Sequence, residues 1–325
     1  MVMTEKNRLN PIFFIVGCAR SGTTLLQRIV NANPLIAVPP ETHWIPLYFK
    51  KRIGLTAEGF VTPELISRLL EYPRFQEMEI GQLQLETLLS EGRNVSYADF
   101  VMGVFDLYGK AQGKKLVGDK TPPYVRNMDR LHALFPSAKF IHLIRDGRDV
   151  CLSALDWNHI ERIMGHFPES WRQNRVAAIA VWWKRNVRMG RQEGSVLRGD
   201  LYYEIRYEAL VEDPVEECRK LCGFIDIPYD SAMLRFHEGR TIPEPGLSAK
   251  ESWLPITPGL RDWRTQMTPA DLEVFEAASG DLLSELNYPR VFPNPSPEKL
   301  KEAARIYQLF VADLQSNHQR LPAGW

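Results

Sequence analysis

A short apolar run, Phe13-Phe14-Ile15-Val16, stops at Gly17, and a second glycine, Gly22, stands just ahead of Thr23-Thr24-Leu25-Leu26. A run of this length bounded by glycine reads as a buried strand, expected over 11–16. The residues after Gly22 carry a helical pattern that ends before Asn33-Pro34, because a residue preceding proline is pushed out of the helical region. The first helix is therefore expected over 22–32. A strand that turns through a glycine-bounded loop straight into a helix commits the chain to a βα unit. The loop amides and the positive end of the helix dipole then make a seat for an anion.

Gly17 and Gly22 stand at P-loop spacing, but Thr23-Thr24 follow where nucleotide hydrolases carry Lys-Ser or Lys-Thr. That lysine holds the β- and γ-phosphates, and the hydroxyl after it holds Mg²⁺. Here the loop's cation is Arg20, ahead of the second glycine. The loop suits a phosphate group and suits ATP cleavage poorly. A P-loop nucleotide kinase or NTPase is the alternative, and a non-catalytic nucleotide-binding relative is a third reading.

Further strand-like runs lie at 115–117, 139–144 and 201–206, separated by helical patterns. The fold class that follows is α/β: a P-loop-like three-layer fold with a central, mostly parallel sheet flanked by helices. The 325 residues read as one domain. A helical insertion is expected at about 55–112, with Leu65, Leu69 and Tyr72 on one buried face, shaping an acceptor pocket. A long helix is expected over 168–191, a ligand lid over 240–259 with Lys250, Trp253 and Arg261 in or near it, and a late helix over 271–286. A linker at 293–297 and a helix at 298–314 open a C-terminal helical extension of about 296–325.

Forty basic residues balance forty acidic ones, so no global field recruits nucleic acid or an anionic membrane, and any anion site must be local. Apolar runs fall far short of the roughly 20 residues that span a bilayer. The first ten residues carry no secretory pattern. Cys18, Cys151, Cys218 and Cys222 form no zinc pattern and read as small apolar residues in a reducing compartment. A cytoplasmic protein is expected, with oligomeric state open and a homo-oligomer admitted.

A second strand-turn-helix runs from Lys139 to Ser153. Arg145 falls at the strand's carboxyl end, where α/β sheets place ligands, and Ser153 lies about two helical turns further on. An arginine and a hydroxyl so placed can clamp a second phosphate.

Together the two segments resemble the sulfotransferases that use 3'-phosphoadenosine-5'-phosphosulfate, PAPS. Arg20-Ser21-Gly22-Thr23-Thr24 is similar to their 5'-phosphosulfate loop, and Arg145 with Ser153 to the pair that holds the 3'-phosphate. Arg20-Ser21-Gly22-Thr23-Thr24-Leu25, Asn33-Pro34 and Glu41-Thr42-His43-Trp44-Ile45-Pro46 resemble the tyrosylprotein sulfotransferases and related bacterial enzymes. The resemblance implies transfer of a sulfuryl group from PAPS to a hydroxyl, with PAP as product and no metal required. It implies Glu41 as general base, with Lys120 or Arg20 offsetting charge on the leaving oxygen, and Gly118-Asp119-Lys120-Thr121-Pro122 as the lysine motif. It also implies Tyr207 and Arg261 as nucleotide contacts. His43 and Thr121 depart from that branch, where an arginine and an aspartate stand. The acceptor (small molecule, glycan, lipid or peptide tyrosine) stays open.

On position alone, Glu41 is equally a cap for a helix beginning near Thr42, and His43 is the reserve base. His142 reads as a satisfied core histidine, and Trp182 and Trp183 as core. Arg148 reads as a surface residue or cap partner. Trp44, Tyr48 and Trp157 lean slightly toward a bulky or aromatic acceptor.

Overall fold

The computed structural model describes residues 12–89, 94–156, 168–238 and 254–317. Five strands, β1 (Phe13–Gly17), β2 (Ile36–Ala37), β3 (Leu116–Lys120), β4 (Lys139–Ile144) and β5 (Tyr202–Arg206), form one sheet in the order β2-β3-β1-β4-β5. Every neighbouring pair is parallel. The near-continuous apolar character of β1 and β4 follows from burial on both faces.

Alternation along the strands divides the core. Phe14, Val16, Val117 and Phe140 face one layer, which includes the helix Tyr97–Ala111. Phe13, Ile15, Leu116, Ile141 and Leu143 face the other, with the helices Thr23–Asn31 and Pro214–Phe224. A third cluster joins the helices Arg175–Val196, Pro269–Ser279 and Pro297–Asn317 around Trp183 and Phe275. The terminal helix therefore packs on the body through Ala303, Ile306 and Phe310.

The chain goes from β1 to one side for β2 and β3, then crosses to the other for β4 and β5. That reversal leaves a crevice at the carboxyl ends of the strands beside β1, the place where open α/β sheets bind ligands. The register aligns Ile15 with Lys120 and Gly17 with Leu143, so the ends of β3, β1 and β4 stand side by side.

Several expectations are corrected. Strand β2, two residues long, is too short to leave a sequence pattern. The strand expected at 115–117 extends to Lys120, so sheet pairing holds the lysine. The helix expected over 168–191 is two: Glu169–Gln173, then Arg175–Val196 after a break at Asn174, whose side chain caps the second by accepting from the Ala177 amide. The late helix breaks at Gly280, where φ is +58°. The 55–112 segment is helical at Pro63–Leu70, Pro73–Gln76, Gln82–Thr87 and Tyr97–Ala111, with Leu65 and Leu69 buried. Lys250, Trp253 and most of the expected lid lie outside the described residues, as does Trp157.

Gly118 shows how tightly β3 is seated. A Cβ there would sit 2.1 Å from Cζ of Phe13, its partner across the sheet. Gly118→Ala should cost about 1–3 kcal/mol through overpacking, read as a lowered urea midpoint with unchanged slope. An unchanged midpoint would show that β1 and β3 have room to spare.

Candidate functional site

The loop after β1 turns back on itself through positive φ at Arg20 (72°) and Gly22 (97°), closed by the Ser21 amide donating to the Cys18 carbonyl at 3.2 Å. Gly22 is required twice over. Its φ is left-handed, and a Cβ would lie 2.4 Å from Cδ2 of Tyr207. Tyr207, at the carboxyl end of β5, thus packs directly against the loop's second glycine.

Tyr207 also carries Arg145, whose guanidinium lies over the ring at 4.1 Å from its centroid. Arg145 pairs loosely with Asp149 (3.7 Å), and its main-chain carbonyl accepts from Trp183 Nε1 at 3.1 Å. Arg20 Nε donates to Ser153 Oγ at 3.1 Å, so the loop cation bridges to the helix that follows β4. Arg261 binds Asp156 at 2.6 Å. Burial first, and then Arg261 and Arg145, hold the Arg20 guanidinium below its ordinary range. Arg261 and Arg145 therefore lie near enough to Arg20 for their charges to be felt there.

The seat is not satisfied from within. Ser21 Oγ and Arg145 Nε are buried without a hydrogen-bond partner among the described residues. Buried polar atoms are normally paired, so a water or a ligand is the partner these two call for. Of the residues expected here, contacts join Arg20 to Ser153, and Tyr207 to both Gly22 and Arg145, while Ser21, Thr23 and Thr24 supply the loop and first helical turn and Arg261 binds Asp156.

Beside it lies a carboxylate cluster. Lys120, 3% exposed at the end of β3, donates to Glu41 Oε1 at 2.5 Å. His43 Nε2 is 2.9 Å from Glu41 Oε2, and Arg74 Nη1 is 3.5 Å from the same oxygen. Burial opposes ionisation of Glu41, but Lys120 and His43 more than offset it, holding the carboxyl well below the usual carboxylate range. The helix that follows is capped at His43, with no side-chain cap bond, so the capping role for Glu41 is excluded. Trp44 and Tyr48 are core residues and give no support to an aromatic acceptor.

What sequence reasoning missed lies mostly behind the site. Arg148, read as surface or cap, is 0% exposed. It binds both oxygens of Asp146 (3.0 and 2.7 Å), Glu276 and the Pro289 carbonyl (both 2.8 Å), and lies over Trp263 at 3.6 Å. Half of that expectation holds, since Asp146 caps the helix Gly147–Leu155 by accepting from the Arg148 amide. His142 is core, its Nδ1 2.7 Å from Tyr202 Oη, but Nε2 has no partner among the described residues. Among the described residues no cluster of His, Cys, Asp or Glu could hold a metal ion, and no helix is long and apolar enough to cross a membrane.

Comparison with known proteins agrees with this geometry. The model described as "Sulfotransferase family" matches residues 11–231. This chain belongs to the sulfotransferase family. A protein-tyrosine sulfotransferase of Drosophila melanogaster is 28% identical over 232 residues, covering 71% of this chain and 41% of that protein. Human protein-tyrosine sulfotransferase 1 is 25% identical over 320 residues, covering 92% and 76%. The chain spans about half the length of the first curated relatives it matches. The sulfotransferase domain from the Synechococcus PCC 7002 olefin synthase shares the fold, with a TM-score of 0.54 at 23% identity over 92% of this chain and 95% of that one.

In this member of the sulfotransferase family, Asp119 precedes Lys120 on β3 and is fully buried. Burial raises its carboxyl to about 7, against the Thr42 and Thr121 hydroxyls. A folded pKa above the unfolded value of about 3.9 gives stability that is full below pH 4 and lost as pH rises through 7. Asp119→Asn should remove that loss, so the variant gains on wild type between pH 5 and about 8 in urea unfolding. A wild-type-minus-variant difference that is flat over this range would show that Asp119 is already ionised at pH 5.

Proposed function

We propose that this chain transfers a sulfuryl group from PAPS to a hydroxyl acceptor by in-line displacement. One observation carries the reading: three neighbouring strands end, at one edge of the sheet, in Lys120, the Arg20 loop and Arg145. A ligand with anions at both ends fits that spread. The orphaned Ser21 Oγ and Arg145 Nε suit phosphate oxygens.

In this reading the amides of residues 21–24 and Arg20 hold the 5'-phosphosulfate. Arg145 and Ser153, with Arg261 behind, hold the 3'-phosphate, and Tyr207 lines the nucleotide path. The acceptor's O–H bond breaks toward Glu41 as its oxygen bonds sulfur. The bond from sulfur to the 5'-phosphate oxygen breaks, and its electron pair stays on that oxygen, giving PAP. An ammonium has three N–H donors, so Lys120 can keep Glu41 and still offset charge on the departing oxygen. A carboxylate held this low is a weak base, so proton transfer accompanies bond formation instead of preceding it. The relatives' names point to a tyrosine phenol as the first acceptor to try, with sugar and lipid hydroxyls after it.

Radiolabelled PAPS presented with tyrosine peptides, phenols and glycans should yield sulfated product without added Mg²⁺. Glu41→Gln should lower turnover roughly 10²–10⁴-fold while PAP binding changes little. Near-wild-type turnover would remove Glu41 from the base role, and Mg²⁺-dependent ATP turnover would favour the kinase or NTPase reading.

A further inference from the structure

His43 occupies a backbone conformation that a side chain this large rarely adopts, with φ +51° and ψ −30°. The Trp44 amide donates to the Thr42 carbonyl at 2.5 Å, closing a three-residue γ-turn centred on His43, the strained positive-φ form of that turn. The turn is held from both flanks. Thr42 donates its amide to Thr121 Oγ1 at 3.0 Å, and its hydroxyl is 2.6 Å from Tyr124 Oη. The Ile45 amide donates to the same Tyr124 oxygen at 3.2 Å, and Trp44 beside it is fully buried. Such strain persists only where the surroundings over-determine it, and it collects at functional sites.

The ring is not spent on capping, for the helix beginning at Trp44 receives no side-chain cap bond. It meets Glu41 Oε2 at 2.9 Å instead. An ionised carboxylate only accepts, so Nε2 must carry the proton and donate. A carboxylate offers about four lone-pair directions, two on each oxygen. His43 bonds Oε2 and Lys120 bonds Oε1, which leaves one direction on each oxygen. The Arg74 guanidinium faces Oε2 as an ion pair at 3.5 Å, so the direction away from that cation is the one on Oε1, next to Lys120.

We propose that His43 is a positioning residue of the transfer step: its Nε2–H, with Arg74 beside it, engages Glu41 Oε2 and presents Oε1 to the acceptor hydroxyl. The inference rests on Glu41 being the proton acceptor. It assigns that proton to one named oxygen and gives the strained turn its purpose.

The test pairs two acceptors. Phenol holds its proton up to a pH of about 10, whereas 4-nitrophenol is largely ionised at about pH 8 and needs no base. With PAPS as donor, His43→Ala should lower kcat on phenol about 10–100-fold while kcat on 4-nitrophenol and KM for PAPS stay within about threefold. His43→Gln, whose side-chain amide N–H reaches about as far as Nε2, should recover most of the phenol rate. Equal losses on both acceptors, or a Gln variant as slow as the Ala variant, would overturn the proposal. A separate readout needs no turnover: nitrogen NMR of labelled histidine should find His43 protonated on Nε2 in the free enzyme. A neutral ring with its proton on Nδ1 would overturn the role by itself. Failure of the wild type to sulfate either phenol counts against the proposed function, and the tautomer then decides the clamp alone.

Discussion

Cations of like sign are gathered at one edge of the sheet, and this constraint shapes everything around them. Burial weighs most on the charge of the Arg20 guanidinium, and the nearby Arg261 and Arg145 charges add to that cost. Asp149 and Asp156 answer part of that charge, and the Tyr207 ring answers another part by lying under Arg145. The same low dielectric that makes an unpartnered charge expensive makes an incoming anion's contacts strong. A folded protein keeps such an arrangement where a ligand completes it. Asp149 itself is raised to about 6, by burial first and by Asp146 after it, against the pull of Arg145.

The Arg148 network gives this edge its rigidity. Removing one partner of a buried ion pair costs far more than the pair contributes, because the remaining charge is stranded. Arg148 ties Asp146, next to Arg145, to Glu276 on the helix Pro269–Ser279 and to the Pro289 carbonyl. Glu276 in turn accepts from the Val291 and Phe292 amides. Glu208, one residue after Tyr207, accepts from the Asp146 amide and from Tyr288 Oη. The late part of the chain is thus a brace that fixes where the β4 turn and Tyr207 stand.

The strands that carry the proposed phosphate seat were legible because burial on both faces leaves unbroken apolar runs, and because glycine punctuates them. β4 was read with its observed bounds, and Arg145, Ser153 and the Arg20 loop came from residues spaced within single βα units. Other features lacked a local signal. β2 is two residues long, and Arg148 finds Glu276 across 128 positions, a pairing no spacing announces. Asn174 caps the second helix by accepting from the Ala177 amide three residues on, a start signal that the single helix expected over 168–191 passes over. The link from His43 to Glu41 was invisible because it depends on a positive φ that the sequence gives no reason to expect of histidine.

In the proposed function one crevice grips a nucleotide by two separated phosphates. Titration calorimetry of PAP into the wild type, Arg20→Ala and Arg145→Ala proteins, with 5'-AMP as comparison, decides whether it does. A charge-assisted hydrogen bond contributes about 1.5–3 kcal/mol, so each variant should bind PAP roughly 10–100-fold more weakly, and 5'-AMP should bind the wild type more weakly than PAP does. No heat with PAP, or equal affinity for PAP and 5'-AMP in all three proteins, would contradict it.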